Sequence, residues 1–280
     1  MHDGHPMHDH AAAGGALLGA GVTALVLLGA GVGHLLLVRR ALRRNPAQGW
    51  SRLRSASFPA GLALLALALL PPVATAAHTD FRAHMIQHLL IGMYAPLALV
   101  LSAPVTLLLR ALPPARARQV IKVVSGRWAR IPAHPAVALL LSTGSLGLLY
   151  FTPLFDASMR HPWGHWLLHA HFLASGCLFA HAVAGPDPAP GRPGVRARLV
   201  YLGAAVAVHA LVAQAMYGGF LVDLHVPVDQ VQQGAEIMYY GGDIAELLLA
   251  AALVTTWRPE RRRDGVPLSG QPETGAALPR

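Results

Sequence analysis

Apolar residues fill seven long stretches of the chain, and short polar segments separate them. A helix needs about 20 mainly apolar residues to cross the hydrocarbon core of a bilayer. The seven stretches that approach or exceed this length are 11–38, 58–77, 84–109, 134–154, 162–184, 199–220 and 236–257. The pattern therefore predicts an all-α fold, a polytopic membrane helix bundle with seven transmembrane helices.

Basic residues are concentrated in segments that lie on one side of the predicted membrane. The linkers at 39–54, 110–130 and 192–198 and the tail at 258–280 hold 20 of the 22 lysine and arginine residues. Cytoplasmic loops of membrane proteins carry such an excess of positive charge. The charges therefore predict an N-terminus outside the cell membrane and a C-terminus in the cytoplasm.

The composition excludes several classes of protein. Charged residues make up 12% of the chain and hydrophobic residues 54%, whereas soluble domains carry about 25% charged residues. The net charge of +9 does not indicate nucleic-acid binding, because topology and anionic lipid headgroups explain basic loops beside spans. The single cysteine, Cys177, excludes an intramolecular disulfide and a Cys-x-x-Cys site. With no hydrolase or phosphate-binding motif in the sequence, we expect a non-enzymatic protein that contacts membrane lipids and no nucleic acid.

The two ends of the chain differ from the apolar region between them. The first ten residues, MHDGHPMHDH, have the composition of a flexible, extracytoplasmic arm that collects metal ions, with His2, His5, His8 and His10 as ligands. Residues 11–257 form the predicted seven-helix transmembrane domain. The polar tail at 258–280 has no hydrophobic period and is predicted to be a disordered cytoplasmic segment.

Two pairs of histidines lie at the starts of predicted spans. His84 and His88 open the third span, and His165 and His169 open the fifth. Residues four apart lie about 40° apart around a helix, so each pair presents two imidazoles on one face. An ionisable side chain at membrane depth needs a partner or a water-filled cavity, which makes a functional site the default interpretation. The two pairs are expected to converge on one metal ion, with interhelical hydrogen bonding as the alternative.

Other polar and sulfur-bearing side chains fall in the outer half or middle of the same bundle. His209 lies near the middle of the sixth span, Asp243 lies in the seventh, and Met85 begins the third. His171 is roughly 200° around the helix from His169, so we expect it to face a different neighbour. Imidazole suits copper and zinc alike, whereas thioether favours Cu(I), so the mixture favours copper. The predicted intramembrane metal ligands are His84, His88, His165, His169, His171, His209, Met85 and Asp243.

Three separated motifs resemble one known family. They are His84-Met85-Ile86-Gln87-His88 with Ala95-Pro96 and Ala103-Pro104, then His165-x3-His169-x-His171-Phe172 with Gly185-Pro186-Asp187-Pro188, and finally Asp229-Gln230, Gln233-Gly234, Met238 and Gly241. Over about residues 50–257 the chain resembles the CtaG family of bacterial cytochrome c oxidase assembly factors, of the seven-span kind.

The resemblance implies a multi-pass protein of the bacterial inner membrane that helps to build haem-copper oxidase. It implies a metallochaperone that supplies copper to a cytochrome c oxidase subunit from the periplasmic side. The ligands it implies are His84, His88, His165, His169 and His171.

Three alternative functions remain open at this stage. Histidines on facing helices also hold b-type haem in redox proteins, some of which react with quinones. A copper transporter would use His34 and His181 on the inner half to complete a path. A structural assembly scaffold would use the same polar side chains to hold helices together. The sequence also leaves the oligomeric state open, with a homo-oligomer among the alternatives.

Overall fold

The structure is a computed structural model that describes residues 6–160, 162–189, 191–220 and 226–256. Within these ranges the chain is all-helical. The α-helices are α1 (Pro6–Arg44), α2 (Arg52–Leu69), α3 (Val73–Ala76), α4 (Phe81–Leu89), α5 (Ala95–Leu101), α6 (Pro104–Ala111), α7 (Pro114–Val124), α8 (Arg127–Arg130), α9 (Pro135–Leu139), α10 (Ser145–Tyr150), α11 (Leu154–Met159), α12 (Pro162–Ala184), α13 (Val195–Tyr217) and α14 (Val228–Thr256). Single π-helical turns at Leu90–Tyr94 and Leu140–Gly144 join α4 to α5 and α9 to α10.

Among the described residues, six segments are long and apolar enough to cross a membrane, and each overlaps a span predicted from the sequence. They are Leu17–Arg44, Arg52–Leu69, Phe81–Ala111, Trp163–Ala184, Val195–Tyr217 and Val228–Thr256. The protein is therefore a multi-pass membrane protein, and the helical fold class predicted from the apolar pattern is confirmed.

The remaining predicted span, 134–154, is a shorter helix in the structure. It covers Pro135–Tyr150, so at about 1.5 Å per residue it is about 24 Å long. A hydrocarbon core is about 30 Å thick. The prediction of seven spans is thus confirmed for six of them, and the seventh span and the orientation of the termini stay predictions.

The predicted arm and tail fall largely outside the described residues. His2 and His5 lie there, as does the whole tail 258–280. His8 and His10 belong to the first turns of α1. The arm and tail assignments stay predictions.

The segment Phe81–Ala111 is the central element of the bundle and is interrupted twice. Its parts pack against α1, α2, α12 and α14. Pro96 has no N–H to donate to the carbonyl four residues earlier, and the π turn lies at this point. Ala103 precedes Pro104 and takes a left-handed conformation with φ 55°, which ends α5 and lets α6 begin at the proline. Both interruptions follow from prolines that the sequence places inside an apolar run.

Close packing at the π turn depends on a glycine. A Cβ atom on Gly176 of α12 would overlap the carbonyl oxygen of Gly92. The absence of a side chain therefore lets α12 lie directly against the turn. This contact fixes the distance between the two helices that carry the paired histidines.

The two ends of the bundle differ in chemistry. The histidine end is the end at which α4, α12 and α14 begin. The basic end is the opposite one, where α1 and α6 end and α13 begins. At the basic end Arg40 donates to the carbonyl of Ala111 at 2.9 Å, and Arg110 donates to that of Gly49 at 3.1 Å.

An acidic side chain at the basic end caps a helix from a distant part of the chain. The Asp187 carboxylate accepts hydrogen bonds from the backbone N–H groups of Val105 and Thr106 at 3.0 and 2.7 Å. It also accepts from the Thr106 hydroxyl at 2.6 Å. Arg192 holds the same loop by donating to the carbonyls of Gly185, His181 and Asp187. The Gly185-Pro186-Asp187-Pro188 motif thus anchors the α12–α13 loop to the start of α6.

Replacing Asp187 with alanine should destabilise the protein, because the start of α6 loses its buried acceptor. A lost cap or buried hydrogen bond costs about 1–3 kcal/mol. Thermal unfolding in detergent should show a lower midpoint for Asp187→Ala and a smaller decrease for Asp187→Asn, which keeps one acceptor oxygen. Equal midpoints for wild type and Asp187→Ala would contradict this role.

Candidate metal site

The histidine end is tied together where α4 begins. The Asp80 carboxylate accepts a hydrogen bond from the backbone N–H of Arg82 at 2.9 Å and caps the helix. The Arg82 side chain donates to the same carboxylate at 2.6 Å, and this hydrogen bond holds the pKa of Asp80 below its usual range. The backbone N–H of Phe81 donates to Oε1 of Gln230 at 3.1 Å, which connects α4 to α14. The start of α4 is therefore held by contacts with two parts of the chain.

The two histidines of α4 are buried, with nitrogen atoms that lack partners. His84 is 4% exposed and His88 is 6% exposed. Nε2 of His84 lies 3.4 Å from the hydroxyl of Tyr150, whereas its Nδ1 has no hydrogen-bond partner. Nδ1 of His88 is also unpartnered, and its ring packs edge-on against Phe172 at 4.5 Å between centroids. Each imidazole therefore has one buried nitrogen that makes no hydrogen bond.

The histidines of α12 form a second cluster that reaches the surface. The rings of His165 and His169 are 4.2 Å apart between centroids. His78, an exposed residue in the turn before α4, lies 4.6 Å from His165 by the same measure. Nε2 of His165 is buried and has no partner. His78 had no assigned role in the sequence analysis, and the structure brings it to the site.

Gln87 joins three helices through its amide group. It is 1% exposed, and its Nε2 donates to the carbonyl oxygen of Ala68 in α2 at 2.8 Å. This bond fixes which end of the amide is oxygen, and that oxygen lies 3.1 Å from Nε2 of His169. An amide oxygen can only accept, so Nε2 of His169 carries the proton and its Nδ1 carries the lone pair. Gln87 thus selects the tautomer of a predicted metal ligand.

Five imidazoles form a continuous set that we call the histidine row: His78, His165, His169, His84 and His88. His84 interacts electrostatically with His88, His165 and His78, and His169 interacts with His165, His84 and His78. Exposure decreases from His78 through the half-buried His165 and His169 to the buried pair on α4. The row therefore leads from the surface into the bundle.

The row does not bring four imidazoles onto one point. In the part of the chain that the structure describes, no three histidine, cysteine, aspartate or glutamate side chains stand close enough to hold one metal ion. Nε2 of His84 faces Tyr150 and Nε2 of His169 faces Gln87. Because these hydrogen bonds turn the rings toward neighbouring helices, the expected convergence of both pairs on one ion is not seen in this arrangement.

Two other predicted ligands contact different neighbours. Nε2 of His171 lies 3.0 Å from the hydroxyl oxygen of Ser145, as its angular separation from His169 suggested. Met85 is fully buried in the apolar core, where it packs beside Gly234 of α14. Both residues therefore have packing or hydrogen-bonding partners outside the row.

The ligands predicted on the last two helices lie deeper in the bundle. His209 of α13 packs against Gly242, where a Cβ atom would overlap its ring, and its Nε2 has no partner. It interacts electrostatically with His88. Asp243 is half-buried and interacts electrostatically with Glu246, one turn further along α14. His209 thus continues the line of unpartnered imidazoles beyond His88.

Sequence reasoning missed three residues that shape the row. Gln87 lies inside the His84-to-His88 motif. An amide side chain within a predicted span needs a hydrogen-bond partner, so its position could have indicated a contact with another helix. Tyr150 lies near the end of the fourth predicted span, and its hydroxyl needed a hydrogen-bond partner once buried. His78 could not be found from spacing, because the turn that brings it to His165 has no periodic pattern.

The fold and these contacts define a multi-pass membrane protein with a row of intramembrane histidines at one end. The family model for the cytochrome c oxidase caa3 assembly factor matches residues 32–260. The chain belongs to this family.

Uncharacterized mycobacterial proteins are similar to the chain. Those of Mycobacterium bovis and Mycobacterium tuberculosis are each 31% identical over 242 residues, which is 80% of this chain and 36% of the relative. One from Mycobacterium leprae is 30% identical over 265 residues, covering 88% of this chain and 40% of the relative. The chain therefore spans less than half the length of these curated relatives. No solved structure matches it.

The tautomer of His169 can be measured directly. We expect solid-state NMR of protein labelled with ¹⁵N-histidine to show His169 protonated on Nε2, because the Gln87 oxygen can only accept. The signal is assigned by its loss in His169→Ala. In Gln87→Leu the fraction of the Nε2–H tautomer should decrease, because the ring loses the acceptor that fixes it. If wild-type His169 instead gave the signal of the Nδ1–H tautomer, the Gln87 amide would not determine which ring nitrogen carries the proton.

Proposed function

We propose that the protein is an assembly factor for cytochrome c oxidase that binds copper along the histidine row and delivers it to an oxidase subunit. The observation that carries this proposal is the set of unpartnered imidazole nitrogens on His84, His88 and His165. A buried polar atom without a partner costs about 1–3 kcal/mol. A fold that keeps three of them buried within the histidine row is well suited to a ligand that supplies the missing bonds.

The imidazole side chains of the row favour a cation that binds neutral imidazole as a ligand. Copper and zinc both do so, and both require deprotonated ring nitrogens. Copper is the proposed ion because haem-copper oxidase, the product that the family's name points to, requires it. The ion is cargo, taken up at His78 and moved toward the buried pair His84 and His88.

The proposed topology has seven spans, with Pro135–Tyr150 as the fourth. Tyr150 at its end reaches His84 at the histidine end, whereas His134 at its start lies beside Tyr201 of α13, near the basic end. Arginines at the basic end favour a cytoplasmic position for that end. The histidine end then faces the periplasm of the bacterial inner membrane, where His2, His5, His8 and His10 would also lie.

Copper binding is tested with purified protein. The double variant His84→Ala with His165→Ala removes two of the unpartnered nitrogens and should retain at least one copper ion fewer per chain than wild type, measured by metal analysis after removal of free ion. His134→Ala is the matched control, because this exposed histidine lies at the other end of Pro135–Tyr150. If the double variant retained as much copper as the wild type, the proposal would be contradicted.

Copper retention should also depend on pH. Protonated imidazole cannot bind a metal, so retention should decrease once the pH is low enough to protonate the row. Retention in the wild type that is no more sensitive to acid than in the His84→Ala, His165→Ala variant would indicate ligands other than histidine.

Delivery is tested in cells that lack their own family member. The wild-type gene should restore cytochrome c oxidase activity at limiting copper, and the His84→Ala, His165→Ala gene should not, at equal protein level. Full restoration by the double variant would favour a scaffold role in which metal is not carried.

A further inference from the structure

An open cleft lies at the basic end of the bundle, opposite the histidine row. Its volume is about 640 Å³, which falls within the range of about 300–1,000 Å³ that small-molecule sites occupy. One wall is the end of α1 with the turn that follows it, and the other is the end of α6 with the start of α7. The cleft is therefore large enough for a ligand and lies where two membrane helices end.

Hydrogen bonds hold the two walls of the cleft against each other. Nε of Arg40 in α1 donates to the carbonyl oxygen of Ala111 in α6 at 2.9 Å. Nη1 of Arg110 donates in the opposite direction, to the carbonyl oxygen of Gly49, at 3.1 Å. The guanidinium of Arg110 also lies 5.4 Å from the centre of the Trp50 ring. Arg110 is therefore held in place by α1 and the following turn before any ligand binds.

The polar side of the cleft is positively charged and rich in hydrogen-bond donors. Arg110 lines it together with Arg44, which follows Arg40 by one turn of α1, and with the amides of Asn45 and Gln48. Among the described residues that line the cleft, none is acidic. A guanidinium group presents its N–H donors in a fixed fork that matches the oxygens of a phosphate. The polar side therefore suits a phosphate group.

A carboxylate beside the cleft does not neutralise this charge. Asp187 precedes Pro188, which lines the cleft, but Asp187 itself is 4% exposed and does not line it. Its oxygens accept three hydrogen bonds from the first residues of α6. Among the described residues neither Arg44 nor Arg110 forms an ion pair. The two guanidinium groups therefore remain without an anionic partner.

The other side of the cleft is apolar. Leu109, Leu112 and Pro114 line it. They lie where the membrane-spanning segment Phe81–Ala111 ends, which is the level at which the hydrocarbon core meets the lipid headgroups. Trp128 of α8, a short distance further along the chain, is 86% exposed, as is typical of tryptophan at a membrane interface. The cleft thus combines a cationic side and an apolar side at headgroup depth.

We infer that this cleft, called here the Arg44 cleft, binds the headgroup of one anionic phospholipid. The phosphate oxygens accept hydrogen bonds from Arg44 and Arg110, and the acyl chains leave the cleft along Leu109 and Leu112. Basic pockets between transmembrane helices bind anionic lipid headgroups in this way. A free phosphate ion has the same charge but no apolar part, so the lipid is the occupant that uses both sides. The site is independent of the histidine row.

The test counts the lipids bound to purified full-length protein in detergent by native mass spectrometry. The wild type, titrated with phosphatidylglycerol or with phosphatidylcholine, whose headgroup has no net charge, should bind one phosphatidylglycerol more tightly. Arg44→Glu should weaken that lipid by about tenfold or more, because an attraction is replaced by a repulsion. Arg43→Glu is the matched control, because this exposed arginine of the same helix does not line the cleft. Its affinity for phosphatidylglycerol should stay close to that of the wild type.

The other outcomes overturn the inference. Equal weakening in Arg44→Glu and Arg43→Glu would reduce the binding to a general attraction of lipid to a basic surface. A wild type with no preference for phosphatidylglycerol would exclude a site for an anionic headgroup. Displacement of the lipid by an equal concentration of inorganic phosphate would assign the polar side to a free anion. If Arg44→Glu does not accumulate as folded protein, Arg44→Gln compared with Arg43→Gln decides the question in the same way.

Discussion

The amide of Gln87 is the contact on which the rest of the site depends. It donates to α2 and accepts from His169 on α12, while its own backbone belongs to α4. Three membrane helices are therefore held in register by one buried side chain whose two hydrogen-bonding ends cannot be exchanged. In hydrocarbon, where water cannot replace a lost bond, such an amide both positions helices and sets the protonation of its neighbours. The direction of the His169 lone pair follows from this constraint.

The two ends of the bundle carry different polar groups. At the basic end, Asp187 and Arg192 direct their side chains at backbone groups, and their bonds stabilise loops and helix ends. The buried groups without partners there include Nε of Arg192 and Nε1 of Trp50, which can only donate a hydrogen bond. At the histidine end, the groups without partners are imidazole nitrogens on α4 and α12, which can bind a metal ion when they carry a lone pair. That difference in chemistry supports the proposed carrier function of the row.

The sequence predicted the fold where apolar runs were long and failed where helices were irregular. Six spans are confirmed because about 20 apolar residues permit few other structures in a membrane protein. Pro135–Tyr150 is shorter than expected, because the helix ends at Tyr150 whereas the apolar run continues past Pro153 to Leu154. Burial of His84 and His88 on one helix followed from their spacing. The ring orientations did not, since they are set by Gln87 and Tyr150, which no periodicity connects to the histidines.

The most direct test of the central claim is the position of copper in the loaded protein. A crystal of copper-loaded protein, measured at the copper absorption edge, should show an anomalous peak at the histidine row, beside the imidazoles of His84 and His165. The account predicts that Nδ1 of His169 faces this peak while its Nε2 remains bonded to Gln87. A peak found away from these imidazoles, with the row unchanged and empty, would contradict it.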